Sequence, residues 1–209
     1  MANFEQISEM LQKGKAKDVE RLVGEALAEG VDVKEILEKG LISGMAVIGE
    51  KFKNNQVYVP EVLIAARAMN KGMGVLEPAM LQAGIKPLGT VVIGTVKGDL
   101  HDIGKNLVGM MFKGAGFKVV DLGTDVPPEK FVDAARENDA SIIGLSALLT
   151  TTMPNMRECI GAIRATGLPV KVMVGGAPVT QAFADEVGAD AYSPDAATAV
   201  EAGRQLVGV

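Results

Sequence analysis

The sequence has no tryptophan, one cysteine, one histidine and two tyrosines in 209 residues. A single cysteine excludes an intramolecular disulfide framework and fits a reducing compartment. A single histidine excludes any site built from several imidazoles. Positive charge is also short. Lys and Arg total 21 against 26 Asp and Glu, for a net charge of -5. That balance does not suit a protein whose main task is gripping phosphate backbones, so no nucleic acid is expected as partner. Long apolar runs are missing too. The longest uncharged stretch, 140–156, contains Ser141, Ser146, Thr150 to Thr152 and Pro154, which no ordinary spanning helix would hold. Glu5 and Glu9 stand where a secretory signal needs an apolar stretch. The expectation is a cytoplasmic protein with no membrane partner.

Hydrophobic residues make up 48% of the chain and charged residues 22%, enough to bury a core. The pattern then splits in two. Over residues 1–86 the apolar positions follow helical spacing. Phe4, Ile7, Met10 and Leu11 form a first set, stopped by Gly14. Val19, Leu22, Val23, Ala26 and Leu27 form a second, stopped by Gly30. Asp32 is placed to cap a third helix, with Glu35 at the capping-box position. That helix carries Ile36, Leu37, Leu41, Met45 and Ile48 to about Phe52. Pro60 suits the first turn of a fourth. This half is predicted to be a four-helix bundle.

Over residues 87–209 short β-rich runs alternate with helical stretches. The predicted strands are Thr90–Gly94, Lys118–Asp121, Ser141–Leu145, Lys171–Val174 and a weak fifth near Ala189–Tyr192. Helices are predicted over roughly 104–114, 128–138, 153–166, 180–187 and 196–207. Nearly all-apolar strands in this alternation imply a doubly wound, five-stranded parallel sheet in an α/β (Rossmann/flavodoxin-like) domain. Such sheets bind ligands beyond the carboxyl ends of their strands.

After the first strand comes Gly98-Asp99-Leu100-His101-Asp102-Ile103-Gly104-Lys105-Asn106. It lacks G-x-G-x-x-G, and Asp99 and Asn106 break the Walker pattern, so a nucleotide phosphate is not expected. His101 is placed to ligate a metal, with Asp99 holding its other ring nitrogen; the plainer reading is an exposed loop histidine beside an acid. The chain cannot assemble a conventional zinc site, so a metal on His101 would draw its other ligands from a macrocycle. The third strand ends in Ser146-Ala147-Leu148-Leu149-Thr150-Thr151-Thr152, and the fourth in Gly175-Gly176. With Gly94 and Gly98, these would leave an open, hydroxyl-lined slot; the alternative is turn glycines and helix caps, Thr152 among them. Lys105 and Asn106 read as exposed helix positions, and Cys159 as core.

Asp99-x-His101-x-x-Gly104, then Ser146-x-Leu148, then Gly175-Gly176, resembles the cobalamin-binding signature of corrinoid proteins. Its spacing matches that of cobalamin-dependent methionine synthase and the small corrinoid proteins of methyltransferase systems. Gly49-Glu50-Lys51-Phe52 and Val57-Tyr58-Val59-Pro60-Glu61-Val62 resemble the helical cap of the same family. The resemblance implies that cobalamin is the cofactor and His101 the lower ligand of its cobalt. Asp99 would hydrogen-bond His101, and Thr152 would complete the relay. Gly98, Leu100, Asp102, Ile103, Gly104 and Thr150 would complete the loops around the cofactor. Ser146 would bind the displaced base in a slot lined by Leu148, Gly175 and Gly176. Tyr192, Pro194 and Asp195 would lie near its deep end. Tyr58, Val59 and Val62 would shield the methyl face, with a hinge at residues 86–89.

The resemblance also implies a methyl carrier cycling between Co(I) and methyl-Co(III), and not an enzyme by itself. The implied partners are a substrate:corrinoid methyltransferase and a second methyltransferase. The latter would pass the methyl group to an acceptor such as tetrahydrofolate or coenzyme M. A reductive activator completes the set. The alternative is a cobalamin-dependent sensor or regulatory module; such regulators add a DNA-binding domain and a cap tryptophan.

Overall fold

The computed structural model describes residues 3–209. The chain divides into two units. One is Met1–Pro87 with Gly114–Gly116, and the other is Leu88–Lys113 with Phe117–Val209.

The first unit is helical: α1 (Phe4–Gln12), α2 (Ala16–Ala28), α3 (Val33–Glu35), a π-helical stretch (Ile36–Ile42), α4 (Ser43–Lys53) and α5 (Val59–Gln82). Gly14 and Gly30 adopt positive φ where the first two helices end. Asp32 caps α3 by accepting the Glu35 N–H at 3.0 Å. The Glu35 side chain turns to Lys39 at 2.5 Å, so the reciprocal half of the capping box is replaced by an ion pair. The expected continuous third helix is interrupted by the π stretch. A π turn holds one residue more than an α turn, and here it sets Gly40 against α1. A Cβ on Gly40 would come within 3.1 Å of Ile7 Cγ2. Tyr58 begins α5, its N–H held by the Glu61 carboxylate at 3.1 Å. Ile7, Leu11, Val19, Val23, Leu41, Ile48, Met69 and Leu76 are buried, as the helical spacing predicts.

The second unit is an α/β fold. Its strands are β1 (Thr90–Thr95), β2 (Lys118–Asp121), β3 (Ile142–Ser146), β4 (Lys171–Gly175) and β5 (Ala191–Ser193). All neighbours are parallel, in the order β2-β1-β3-β4-β5. The order therefore reverses between β1 and β3, and a crevice is expected beyond their carboxyl ends. Between the strands run α6 (Ile103–Gly114), α7 (Pro128–Glu137), α8 (Met153–Ala165), α9 (Gln181–Val187) and α10 (Ala196–Val207).

One sheet face carries Val92, Ile143, Leu145, Val172 and Val174, packed with Phe131, Met156, Cys159 and Ile160. On the other, α6 and α10 meet closely. A Cβ on Gly203 would lie 2.4 Å from the Phe112 ring and 3.5 Å from Ile142. The fifth strand starts two residues later than the apolar pattern implies. Asp190 is used instead as a clamp, accepting the Val172 N–H at 2.7 Å and pairing with Arg164 at 2.5 Å. No helix among the described residues is long and apolar enough to cross a membrane.

Candidate functional site

The loops after β1 and β3 converge on one carboxylate. Asp99 is fully buried and accepts five hydrogen bonds. On Oδ2 these come from the Leu148 N–H at 2.8 Å, the Leu149 N–H at 3.2 Å and the Thr152 hydroxyl at 2.8 Å. On Oδ1 they come from the His101 N–H at 3.1 Å and His101 Nδ1 at 2.8 Å. Burial pushes the Asp99 carboxyl up. The bonds from Leu148, His101 and Thr152 outweigh it and hold the group well below the usual carboxylate range.

An ionised carboxylate only accepts, so the proton of the His101 pair sits on Nδ1. The neutral imidazole is thereby fixed as the tautomer with its lone pair on Nε2. The His101 side chain is half exposed. Leu100 and Ile103, on either side, are exposed and apolar. A basic nitrogen set in an apolar surround suits the face of a large, flat metal complex.

Several residues that the sequence does not flag hold this loop. Asp125, with φ of 56°, accepts the Gly98 N–H at 2.7 Å and donates its own N–H to the Asp99 carbonyl at 3.0 Å. Asn155 donates to the Lys97 carbonyl at 2.6 Å, and the Thr95 hydroxyl to the His101 carbonyl at 2.9 Å. Lys105 is not an exposed helix position. It is 3% exposed, and its ammonium contacts both Asp121 oxygens at 2.6 Å and Asn106 Oδ1 at 2.7 Å. A buried ammonium needs such a partner, and Asp121 at the end of the neighbouring strand supplies it. Asp102 accepts from Asn106 at 3.0 Å within the first turn of α6.

Thr152 does not cap α8 with its side chain. Its hydroxyl lies 2.8 Å from Asp99 Oδ2 and 2.9 Å from the Leu149 carbonyl. One proton cannot serve both fully, and the charged oxygen is the stronger acceptor. Leu148 binds Asp99 through its backbone, leaving its side chain partly exposed beside Thr150.

Two of the glycines do not leave open space. The place of a Gly94 side chain is filled by the Phe131 ring, 2.8 Å from a Cβ built there. Gly176 is required by the backbone: its φ is 131°, and a Cβ would lie 1.9 Å from the Ala147 carbonyl oxygen. The opening lies elsewhere. Gly144, Ser146 and Gly175 are only half-buried, although they lie on central strands of a sheet with helices on both faces. A sheet with both faces fully covered would bury them. Ser146 is the register partner of both Thr95 and Gly175, and Gly175 of Ser193. These four residues form one row across the strand ends. The Ser193 hydroxyl is buried with no hydrogen-bond partner, the one such side-chain atom among the described residues.

The row fits a ligand that brings hydrogen-bonding groups to the sheet, and His101 fits a metal held otherwise by that ligand. The B12 binding domain family matches residues 89–202, and a second B12 binding domain family matches residues 4–77. The chain belongs to the B12-binding corrinoid proteins. This corrinoid protein is 49% identical over 187 residues to trimethylamine corrinoid protein 1 of Methanosarcina acetivorans, covering 88% of this chain and 87% of that one. Among solved structures it is similar to a cobalamin-binding protein from Desulfitobacterium hafniense DCB-2. The TM-score is 0.80 and the identity 31%, over 99% of both chains. It is also similar to a chain of the methanol:cobalamin methyltransferase complex MtaBC from Methanosarcina barkeri. There the TM-score is 0.87 and the identity 29%, over 97% of this chain and 78% of that one.

The remaining expected site residues of the corrinoid protein fall in different settings. Asp195 is the N-cap of α10, accepting from Ala197 and Thr198 at 2.9 Å, so its carboxylate is already engaged. Tyr192 packs against the Phe131 side of the sheet, and Pro194 is exposed. In the helical unit Tyr58 is exposed, Val59 half-buried and Val62 fully buried. Cys159 is core, as expected. Burial, with Glu158 and Glu129 adding to it, pushes its thiol up to about 12, so it carries little thiolate.

Proposed function

We propose that this corrinoid protein carries methyl groups between separate methyltransferases, with His101 as the lower ligand of cobalt. The observation that carries the reading is the Asp99–His101 pair, in which a buried carboxylate fixes the ring so that only Nε2 can bind a metal. Cobalamin, when bound, would supply a cobalt able to accept and give up a methyl group.

The protein's own residues supply the rest. His101 would give Nε2 as a ligand, and Asp99 orients the ring. Thr152 and the Leu148 and Leu149 N–H groups hold Asp99 ionised and immobile. Held in this way, Asp99 would keep the His101 ring in one orientation whether or not a metal sat on Nε2. Gly98, Leu100, Asp102, Ile103 and Gly104 form the loop on which the ring sits. Ser146, Thr150, Leu148, Gly175 and Gly176 bound the opening beside it, with Pro194 and Asp195 just after β5; Tyr192, expected near its deep end, lies on the opposite, Phe131 face of the sheet. Of the residues given to the methyl face, Tyr58 has free surface for contact with a ligand and Val62 has none.

The donor we favour is a methylated amine, on the strength of the trimethylamine corrinoid protein's name. A relative solved within a methanol:cobalamin methyltransferase complex supports a dedicated methyltransferase as partner. A second methyltransferase, serving tetrahydrofolate or coenzyme M, and a reductive activator complete the proposal. The single buried cysteine fits a cytoplasmic setting. The test is to load the protein with cobalamin, reduce it, and add trimethylamine with its methyltransferase. Conversion of the visible spectrum to the methylated form is expected; a spectrum unchanged with any methylated amine or methanol would refute the carrier reading.

A further inference from the structure

Ser193 ends β5 and is 7% exposed, yet its hydroxyl has no partner. Leaving a buried hydroxyl unpaired costs roughly 1–3 kcal/mol, so nearly all such groups are satisfied in native folds. Its surroundings show what it faces. Side chains alternate between sheet faces, and Ser193 pairs in register with Gly175, which pairs with Ser146, which pairs with Thr95. All four therefore lie on the face covered by α6 and α10. A Cβ on Gly175 would reach ordinary contact with the Ser193 carbonyl oxygen, at 3.4 Å, so the missing side chain leaves the path between Ser146 and Ser193 clear.

The cover on this face is uneven. It is tight at Ile142, where Phe112 and Gly203 meet, and looser two and four residues further along β3, where Gly144 and Ser146 are half-buried. The carboxyl-end half of this face is therefore the less covered one. Of the three hydroxyls in the row, Thr95 is spent on the His101 carbonyl, which leaves those of Ser146 and Ser193.

We propose that Ser193 is a further binding residue for the cofactor, its hydroxyl hydrogen-bonding a polar group of the corrinoid's nucleotide tail. This rests on the reading that the tail lies beside Ser146 while His101 takes its place on the metal. A hydroxyl can donate to a phosphate oxygen or ring nitrogen, or accept from a ribose hydroxyl. What these share is that they belong to the tail and not to the corrin ring.

The test is to titrate the cofactor-free protein with cobalamin and with cobinamide, which lacks the nucleotide tail, following the visible spectrum. In Ser193→Ala the affinity for cobalamin is expected to fall roughly 3- to 10-fold, the worth of one hydrogen bond, with the affinity for cobinamide unchanged. The urea midpoint of the cofactor-free variant is expected to stay level or rise, because no protein hydrogen bond is lost. A wild-type preference for cobalamin that Ser193→Ala leaves intact would overturn the assignment of Ser193 alone. So would an equal loss for both ligands together with a lower urea midpoint. A wild-type protein with no preference for cobalamin over cobinamide would overturn the parent reading, and this inference with it.

Discussion

The Thr152 hydroxyl meets the Asp99 carboxylate at 2.8 Å across 53 positions of sequence, tying the loop after β3 to the loop after β1. The bond lies at the switch in strand order, where β1 and β3 are neighbours but the chain between them has gone out to β2 and back. His101 is therefore positioned from both loops. Thr152→Ala leaves Asp99 short of one of its five donors and is expected to cost about 1–2 kcal/mol in urea unfolding. Thr152→Ser keeps the hydroxyl and is expected to recover most of the loss. Equal instability of the two variants would show that the methyl group, not the bond, matters.

Asp99→Asn tests the carboxylate itself. Asparagine has one acceptor oxygen and would turn an amide NH2 toward groups that all donate. A loss of roughly 2 kcal/mol or more is expected. With the ring no longer fixed as the Nδ1–H tautomer, cobalamin affinity is expected to fall further than stability alone explains. Equilibrium unfolding and spectral titration on the same preparations separate the two effects.

Gly104 and Gly176 give opposite predictions. A Cβ at Gly104, on the first turn of α6, meets nothing within 4 Å. Gly104→Ala is expected to stabilise the cofactor-free protein by about 0.5–1 kcal/mol through helix propensity, while weakening cobalamin binding if the loop lies against the cofactor. Gly176→Ala drives a methyl group into the Ala147 carbonyl and is expected to prevent folding or cost several kcal/mol. Thermal melts with and without cobalamin distinguish these outcomes.

Asp190 sets an acid limit on stability. Burial raises its pKa, but the hydrogen bonds from Arg164 and the Val172 N–H dominate and lower it on balance. Its contribution is therefore complete above the unfolded carboxyl value near pH 4 and is lost as pH falls through the lower folded value. Asp190→Asn is expected to be less stable at neutral pH by about 1–2 kcal/mol and to show a shallower decline below pH 4. Urea midpoints across pH 3 to 7 measure it; parallel curves would contradict the assignment.

Much of this was legible in the sequence because it is local. The apolar strand runs, the loop carrying His101 and the hydroxyls after β3 are contiguous, and chain order alone assigns them to strand ends. What was hidden depends on register. Lys105 looks like any exposed helical lysine until β2 is placed beside β1 and brings Asp121 to it. Ser193 is an ordinary residue before Pro194 until β5 pairs with β4. Gly94 and Gly144 cannot be told apart by type, yet one is buried with the Phe131 ring 2.8 Å from where its Cβ would be, and the other is half-buried with only Ile93 beside it, at 3.3 Å. The π stretch at Ile36–Ile42 leaves the apolar spacing nearly helical, so periodicity reads through it.

The most direct test of the account uses the solitary histidine. The protein is produced with histidine carrying the heavy, spin-half nitrogen isotope, loaded with cobalamin containing ordinary nitrogen, and reduced to Co(II) for electron paramagnetic resonance. Axial binding through His101 predicts that each nitrogen superhyperfine triplet of the unlabelled protein becomes a doublet. Triplets that persist in the labelled protein would mean that the cofactor's own base, and not His101, holds the metal.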